Sequence, residues 1–448
     1  MLRQIEVDGF KSLTNFSLNI EPGLNILVGP NGSGKSNIIL FFELLHHLAT
    51  GSVTHAIGRI GGAGEVFTLM GDGNLKPELS FTIRGSGYFD SRYRRQKKQR
   101  FLTYEYSATI RLAMHLGTLQ FVHQQLHMAE GDDRQKSMHF AAPTPSLAFR
   151  WDADTQPAPR SMVSSLDETL FVPFYFRDDD KTFNAQEFLS RTFTEELPEY
   201  SILQLLDRFV EPVGIIARDF VEGRAYNIDP NAVRQREDIA SEPGIQFDGR
   251  GLAATLFASQ KMGHSQNALI RPSHHTVGHY FPRDLVEQVS RYARLVNESI
   301  ESVEVVSDPF ENKLRAWLIQ KVRRSDIRVP LSLASDGTVK WLALTTAVLS
   351  SNSAFAIEEP ENYLHPHMQT EIIHIVRNKT RGHKRMFAIF TTHSETLLNA
   401  ASPREVIVVS NVDGATKAAR PTNAEELASE IRSTGFGLGF FYIAGALE

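Results

Sequence analysis

Residues 29–36 read Gly29-Pro30-Asn31-Gly32-Ser33-Gly34-Lys35-Ser36 and match G-x-x-x-x-G-K-[ST] in full. Such a loop is chemistry for phosphate. Its glycines let backbone N–H groups close around phosphate oxygens. Lys35 supplies a point charge to the β- and γ-phosphates. The Ser36 hydroxyl can ligate Mg²⁺ while the N-terminus of the following helix, with Asn37 in its first turn, faces the anion. A plain glycine-rich turn would need neither the apolar strand before the loop nor the helix after it.

Three further groups can complete phosphoryl chemistry. Ala354-Phe355-Ala356-Ile357 is an apolar run that delivers Glu358 and Glu359, followed by Pro360. One carboxylate can hold Mg²⁺ through water and the next can polarise the attacking water. Adjacent side chains alternate at a strand end, so their roles should differ. Alone, an acidic pair after a strand is a solvated terminus; downstream of a phosphate loop the balance reverses. Met386 to Thr392 is a second apolar run, ending in His393 about 34 residues beyond Glu359. A strand-end histidine could sense a γ-phosphate. Ser335-Asp336-Gly337-Thr338 precedes the helical run Val339 to Leu349. A serine and a glycine at a helix start can bind an anion, although those four residues by themselves read as an ordinary N-cap.

The elements that must position these groups follow from periodicity. Ile5 and Val7 alternate with polar neighbours, as do Phe16, Leu18 and Ile20, and Leu24 to Val28 is a compact apolar strand. A helix buried over most of its surface is expected from Ser36 to Leu48, ending near Gly51. Residues 78–130 read as β-rich, 130–168 as a surface loop, 183–222 as helical and 223–282 as irregular. A helix over 283–298 and a strand pair over 302–307 and 313–321 follow. Beyond them, helix and strand alternate: helices at 337–349 and 366–379, strands at 353–357, 385–391 and 404–410. That alternation predicts an α/β layer with a parallel sheet.

Composition bounds the reading. The 448 residues are 42% hydrophobic and 22% charged, enough for a large core. With 47 basic and 52 acidic residues the formal net charge is −5, so bulk charge predicts no nucleic-acid partner. The absence of cysteine excludes disulfides, cysteine nucleophiles and Cys-based metal sites. No signal peptide and no transmembrane run stand out, so a cytoplasmic protein is expected.

The order of the parts resembles the ABC-type ATPase heads of the SMC/RecF group. This resemblance implies an α/β ABC ATPase head, with a mixed sheet around a P-loop helix and an inserted helical/β signature lobe. The expected divisions are 1–175, with the P-loop and an antiparallel β region; 176–345, the inserted lobe; and 346–448, with the two carboxylates and the histidine. Ser335, Asp336 and Gly337 then form a signature loop that reads the γ-phosphate bound by a partner subunit. Glu358 stands where the group usually has Asp, Glu359 as the catalytic glutamate and His393 as the switch histidine. Glu361-Asn362 matches the D-loop region, and Gly9-Phe10-Lys11-Ser12 an N-terminal element near the nucleotide. No glutamine of a Q-loop can be assigned; Gln120, Gln124 and Gln125 are candidates by location.

A closer resemblance is to compact prokaryotic ATPases with an S-D-G-T signature and E-E-P-E-N-x-x-H-P, here Glu358 to Pro366. These are related to the ATPase halves of overcoming-lysogenization-defect nucleases and to ATPases of the Septu, Gabija and PARIS defence systems. No long coiled coil is seen, and the 55 residues after His393 are too few for a Toprim nuclease domain. The resemblance therefore implies an ATP- and Mg²⁺-dependent head that forms a head-to-tail dimer or higher homo-oligomer and passes its output to a separate nuclease or toxin. A RecF-like DNA-binding ATPase of repair is the alternative.

Weaker signals remain. Arg92, Arg94, Arg95, Lys97, Lys98 and Arg100 could contact DNA or RNA phosphates, or form a solvated hairpin tip. Asp178-Asp179-Asp180 reads as a loop or helix start rather than a metal site. His264, His274, His275 and His279 read as a mobile loop rather than a zinc site. The apolar stretch Gly435 to Leu447 either packs within the chain or forms a partner surface.

Overall fold

The computed structural model describes residues 1–90, 99–113, 117–131, 147–154, 160–166, 187, 195–207, 210, 212–221, 223–264, 281–323, 325–382 and 386–447. Along the chain, β1 (Leu2–Asp8), β2 (Phe16–Asn19) and β3 (Gly23–Val28) precede the helix α1 (Lys35–Thr50). The strands β4 (Glu78–Asp90), β5 (Gln99–Ala113), β6 (Thr118–Glu130), β7 (Leu147–Asp152) and β8 (Arg160–Leu166) follow. Then come β9 (Arg224–Tyr226), β10 (Glu237–Asp238), α2 (Leu252–His264) and α3 (Leu285–Val296). The strands β11 (Ile300–Asp308), β12 (Lys313–Val322) and β13 (Ser325–Pro330) lead to α4 (Asp336–Ser350). The chain ends with β14 (Ala354–Glu358), α5 (Pro366–Thr380), β15 (Phe387–Thr391), β16 (Val406–Val412), β17 (Ala415–Ala419) and α6 (Leu438–Ile443).

Two compact units share this chain discontinuously. The first holds residues 1–21, 30–223 and 409–419. Its antiparallel sheet has the order β2-β1-β4-β5-β6-β7-β8. On β5, Leu102, Tyr104, Tyr106, Ala108, Ile110 and Leu112 are buried at a period of two, as one covered sheet face requires. Part of the cover is α1, whose Phe41 meets Phe81 of β4 and Phe10 edge-on, with ring centroids 5.9 and 5.5 Å away. β4 and β5 pair up to Asp90 and Gln99; Arg92, Arg94, Arg95, Lys97 and Lys98 between them lie outside the described residues. Arg100 is on β5, with its Nε 3.2 Å from Glu130 Oε1.

The second unit holds residues 22–29, 224–408 and 420–448. Its main sheet runs β16-β3-β15-β14-β9, and every pairing in it is parallel. A smaller antiparallel sheet has the order β10-β12-β11, with β13 on β12. Between these layers the core gathers Ile26, Val28, Leu256, Val303, Trp341, Leu344, Phe355 and Phe390. α4 is buried along its whole length from Thr338 to Leu349, which is why its sequence is largely apolar, with Lys340, Thr345 and Thr346 the buried exceptions.

Two local expectations are corrected. Residues 130–168 are not all loop: β7 and β8 extend the antiparallel sheet. Leu147, Phe149 and Trp151 alternate into the core, but six residues flanked by polar chain gain their stability from pairing with β6, not from local propensity. Residues 223–282 are not irregular throughout, since they contain α2. The start of that helix is capped from a distance: the buried Glu237 carboxylate accepts from the N–H groups of Gly251 (2.9 Å), Ala253 (3.3 Å) and Ala254 (2.7 Å). No neighbouring Ser, Thr, Asp or Asn announces it. In 183–222 the described helices are short, Ile202–Leu206 and Val213–Val221. Asp178, Asp179, Asp180, His274, His275 and His279 lie outside the described residues, and His264 ends α2.

Candidate functional site

Parallel pairing brings three of the expected groups to one sheet edge. Leu27 of β3 pairs with Thr391 of β15, and Thr391 pairs with Glu358 of β14. These strands therefore end on a common row. One or two residues beyond it lie Gly29, His393 and Glu359. The carboxyl ends of parallel strands are where α/β sheets bind ligands, because the chain turns away there and leaves a crevice. Two hydrogen bonds carry the row past the strand ends: Thr392 N–H donates to Leu27 O (3.1 Å) and Glu359 N–H to Thr391 O (3.2 Å).

Glu359 sits in left-handed backbone, φ 42°, a conformation that costs a non-glycine residue free energy and persists only when its surroundings enforce it. The enforcement is visible. Its N–H also reaches Thr391 Oγ1 at 3.1 Å. Asn362 Nδ2 donates to its Oε2 at 2.7 Å, and His393 Nε2 lies 3.9 Å from its Oε1. The carboxylate and the imidazole are each about one-third exposed, open enough to meet a ligand. Glu358 points differently, as alternation requires, and its Oε2 accepts from Asn227 Nδ2 at 2.9 Å. Asn227 follows β9 and was not anticipated; its only sequence signal is a polar residue after a three-residue strand. Glu361 secures the histidine segment, its Oε1 accepting from Thr392 Oγ1 (2.7 Å) and His393 N–H (2.9 Å).

At the start of α4, Ser335 is the N-cap, its Oγ accepting from Thr338 N–H at 3.3 Å. The ordinary cap is therefore real, and it leaves the loop poised at a helix N-terminus. Arg234 clamps the loop, with a guanidinium nitrogen 2.6 Å from Asp336 Oδ1 and 2.7 Å from Ala334 O. A Cβ at Gly337 would lie 2.7 Å from Tyr363 O, so this glycine permits close approach of the Glu359–Leu364 segment.

The phosphate loop, from Pro30 onward, is built in the first unit. Gly34 is left-handed, φ 101°, and a Cβ there would stand 1.9 Å from Thr416 Oγ1. That hydroxyl donates to Ser33 O (3.1 Å) and bonds Ser12 Oγ (2.6 Å), which in turn accepts from Asn37 Nδ2 (2.7 Å). Ser12 and Asn37 thus brace the loop. Lys11, left-handed at φ 47°, has its Nζ 3.5 Å from Glu65 Oε2. Lys35 Nζ donates to Pro30 O at 3.0 Å, curling over the loop it would leave to meet a phosphate. Asn31, Gly32 and Ser36 are exposed. The first turn of α1 carries no acid; Ser33 Oγ is buried without a hydrogen-bond partner, and nothing would touch a Cβ at Gly32 within 4 Å. This is a donor set with space for an anion and fits a Mg²⁺-bound triphosphate. Gln124 is occupied within the fold: its amide bonds Leu197 O, Tyr200 O, Ile202 N–H and Tyr106 OH at 2.8–2.9 Å.

Comparison with known proteins agrees with this construction. Residues 1–208 match the family described as "AAA ATPase domain", and residues 194–399 match "AAA domain, putative AbiEii toxin, Type IV TA system". A 38-residue segment is 55% identical to the chromosome partition protein Smc of Methanocaldococcus jannaschii; it takes in 8% of this chain and 3% of that protein. Among solved structures, an Smc head bound to the C-winged helix domain of ScpA is 12% identical, with a TM-score of 0.49, 93% of this chain and 97% of that one being covered. A Pyrococcus furiosus Smc head with an extended coiled coil, bound to the C-terminal domain of ScpA, is also 12% identical. Its TM-score is 0.48, with 96% and 99% covered. The two matched ATPase domains, which between them take in residues 1–399, make the chain an ATPase, and its architecture is mixed α/β. Among the described residues no helix is long and apolar enough to cross a membrane.

Proposed function

We propose that this ATPase works as a cytoplasmic head that dimerises head-to-tail around two Mg·ATP and regulates a separate nuclease or toxin, in bacterial antiviral defence. The observation that supports its chemistry best is the common row at Leu27, Thr391 and Glu358, which sets an acid pair and a histidine at the sheet edge where the phosphate-loop strand ends. The match of 194–399 to a domain described with a toxin of a toxin–antitoxin system supports the defence context.

In this reading the backbone N–H groups of 29–34 and Lys35 hold the triphosphate. Ser36 and Glu358 would hold Mg²⁺, which would supply positive charge beside the phosphates. Asn227 orients the Glu358 carboxylate. Glu359 accepts a hydrogen bond from the attacking water and turns it in line. His393 stands where it can donate to the developing charge, held there by Glu361. Ser335, Asp336 and Gly337 close over the nucleotide of the partner copy. The chemistry is positioning and charge stabilisation.

The test is chromatography of the Glu359→Gln chain with and without Mg·ATP, beside pull-down of the product of the adjacent gene. An ATP-dependent doubling of mass with co-purification is expected. A monomer under saturating ATP would count against the dimer. Salt-dependent DNA binding with ATP, without a protein partner, would favour a RecF-like repair ATPase through Arg100 and its basic neighbours.

A further inference from the structure

Lys340 is 1% exposed, and a lysine that buried needs an explanation. It lies on α4, five residues after Ser335. Its Nζ donates to Glu359 O at 3.1 Å and stands 5.7 Å from the centre of the Tyr363 ring. Burial pulls its pKa down to about 8, against the carboxylates of Glu361, Glu359 and Asp229, which favour its charged form. Apolar residues surround it on the helix: Val339, Trp341, Leu342 and Leu344 are fully buried. A methionine or leucine would fill the same volume without desolvating an ammonium, and replacing a buried ion by an apolar group of similar size is often neutral or stabilising. Stability alone does not account for the cation.

Its target does. Glu359 is the residue in left-handed backbone whose N–H is held by Thr391 and whose side chain is held by Asn362. The carbonyl is the remaining handle. Its oxygen accepts from Asn362 N–H at 3.3 Å and from the Lys340 ammonium at 3.1 Å, so losing the shorter, charge-assisted bond of the two would loosen the turn that carries the Glu359 side chain. An error of about 1 Å in a positioned group costs on the order of 10²-fold in rate.

We propose that Lys340 is a positioning residue for ATP hydrolysis: from the signature-loop helix it grips the Glu359 carbonyl and holds the catalytic carboxylate in its left-handed conformation. The proposal rests on the reading of Glu359 as the water-orienting group. Lys340 acts through Glu359, with the Tyr363 ring 5.7 Å from its ammonium.

The experiment is a double-mutant cycle on the full chain with Lys340→Met, Lys340→Arg, Glu359→Gln and Lys340→Met/Glu359→Gln. Turnover, KM, the dissociation constant for a non-hydrolysable ATP analogue, and the melting temperature are read for each. Lys340→Met should melt within a few degrees of the parent and bind the analogue within about twofold, yet lose about tenfold or more in kcat, on the order of 1.4 kcal/mol per decade. Lys340→Arg, which can donate to the same carbonyl, should recover part of that loss. On the Glu359→Gln background, Lys340→Met should cost little more, because the group it positions is already disabled. A full additional tenfold loss there, or wild-type turnover in a folded Lys340→Met chain, would overturn the proposal. Should Lys340→Met unfold, Lys340→Arg decides, and a folded arginine variant with turnover below that of Glu359→Gln overturns it too. Wild-type turnover in Glu359→Gln alone is a different result: it removes the reading of Glu359 and leaves the cost of Lys340→Met to be seen on its own.

Discussion

At the scale of the residue, the site assigns separable jobs to charges. In the proposed reading Lys35 is the main side-chain cation for a triphosphate, and one of its present partners is a carbonyl of its own loop, Pro30 O at 3.0 Å. Exchanging that neutral acceptor for phosphate strengthens the interaction, since hydrogen bonds between ionised groups are about twice as strong as neutral ones. Lys35→Ala should therefore bind ATP at least about 100-fold more weakly while melting like the parent, and titration calorimetry with a melting curve checks both. Glu359→Gln keeps shape and the Asn362 contact in modified form but loses the charge that orients water. It should bind ATP normally and hydrolyse it at least about 100-fold more slowly. Turnover within about twofold of the parent, a loss under about 0.4 kcal/mol, would remove Glu359 from that role. The motif spacing made Lys35, Ser36, Glu358, Glu359 and His393 legible in the sequence. Asn227 and Lys340 were not, because a single polar residue after a short strand and a lysine in a largely apolar helix have no local pattern that names their distant partners.

Elements explain why the loop can do its work. Gly34 heads α1 in left-handed backbone, and the space its missing Cβ leaves is taken by Thr416, itself tied to Ser33 and Ser12. Thr416 cannot swing aside without breaking both bonds. Gly34→Ala thus meets a collision and a backbone strain of about 1–2 kcal/mol. The expected outcome is a lower melting temperature together with loss of ATP binding. Gly34→Ala/Thr416→Gly should regain melting temperature in part, because the collision is gone and the strain remains; recovery to the parent value would show that φ at position 34 is unimportant. The C-terminal stretch resolves into two roles. Leu438, Phe441 and Leu447 enter the core of the second unit, whereas Phe436, Phe440 and Ile443 stay exposed, the two phenyl rings stacked at 4.5 Å. Packing within the chain, one of the two alternatives expected for this stretch, holds for Leu438, Phe441 and Leu447.

The whole molecule is expected to act in pairs. If Ser335 completes the site of a second copy, Ser335→Arg and Lys35→Ala chains should each be inactive alone and complement when mixed. A head-to-tail mixed dimer places both defects in one site and none in the other. Recovered hydrolysis, with subunit exchange shown by tagged pull-down and site occupancy measured alongside, is the expected result. No recovery with exchange confirmed would confine Ser335 to its capping role, which acts within its own chain. The local motifs already determined that this chain handles a nucleoside triphosphate, because a phosphate loop is a requirement on eight consecutive residues and is met or failed locally. They also determined the alternation of helix and strand after residue 337. Only the tertiary structure decided that β3, β15 and β14 end on one row, that Glu237 caps a helix fourteen or more residues away, and that Lys340 meets the carbonyl of Glu359. Each of these is a pairing between segments distant in sequence, and such pairings are selected by packing and register rather than by any spacing that the chain displays along its length.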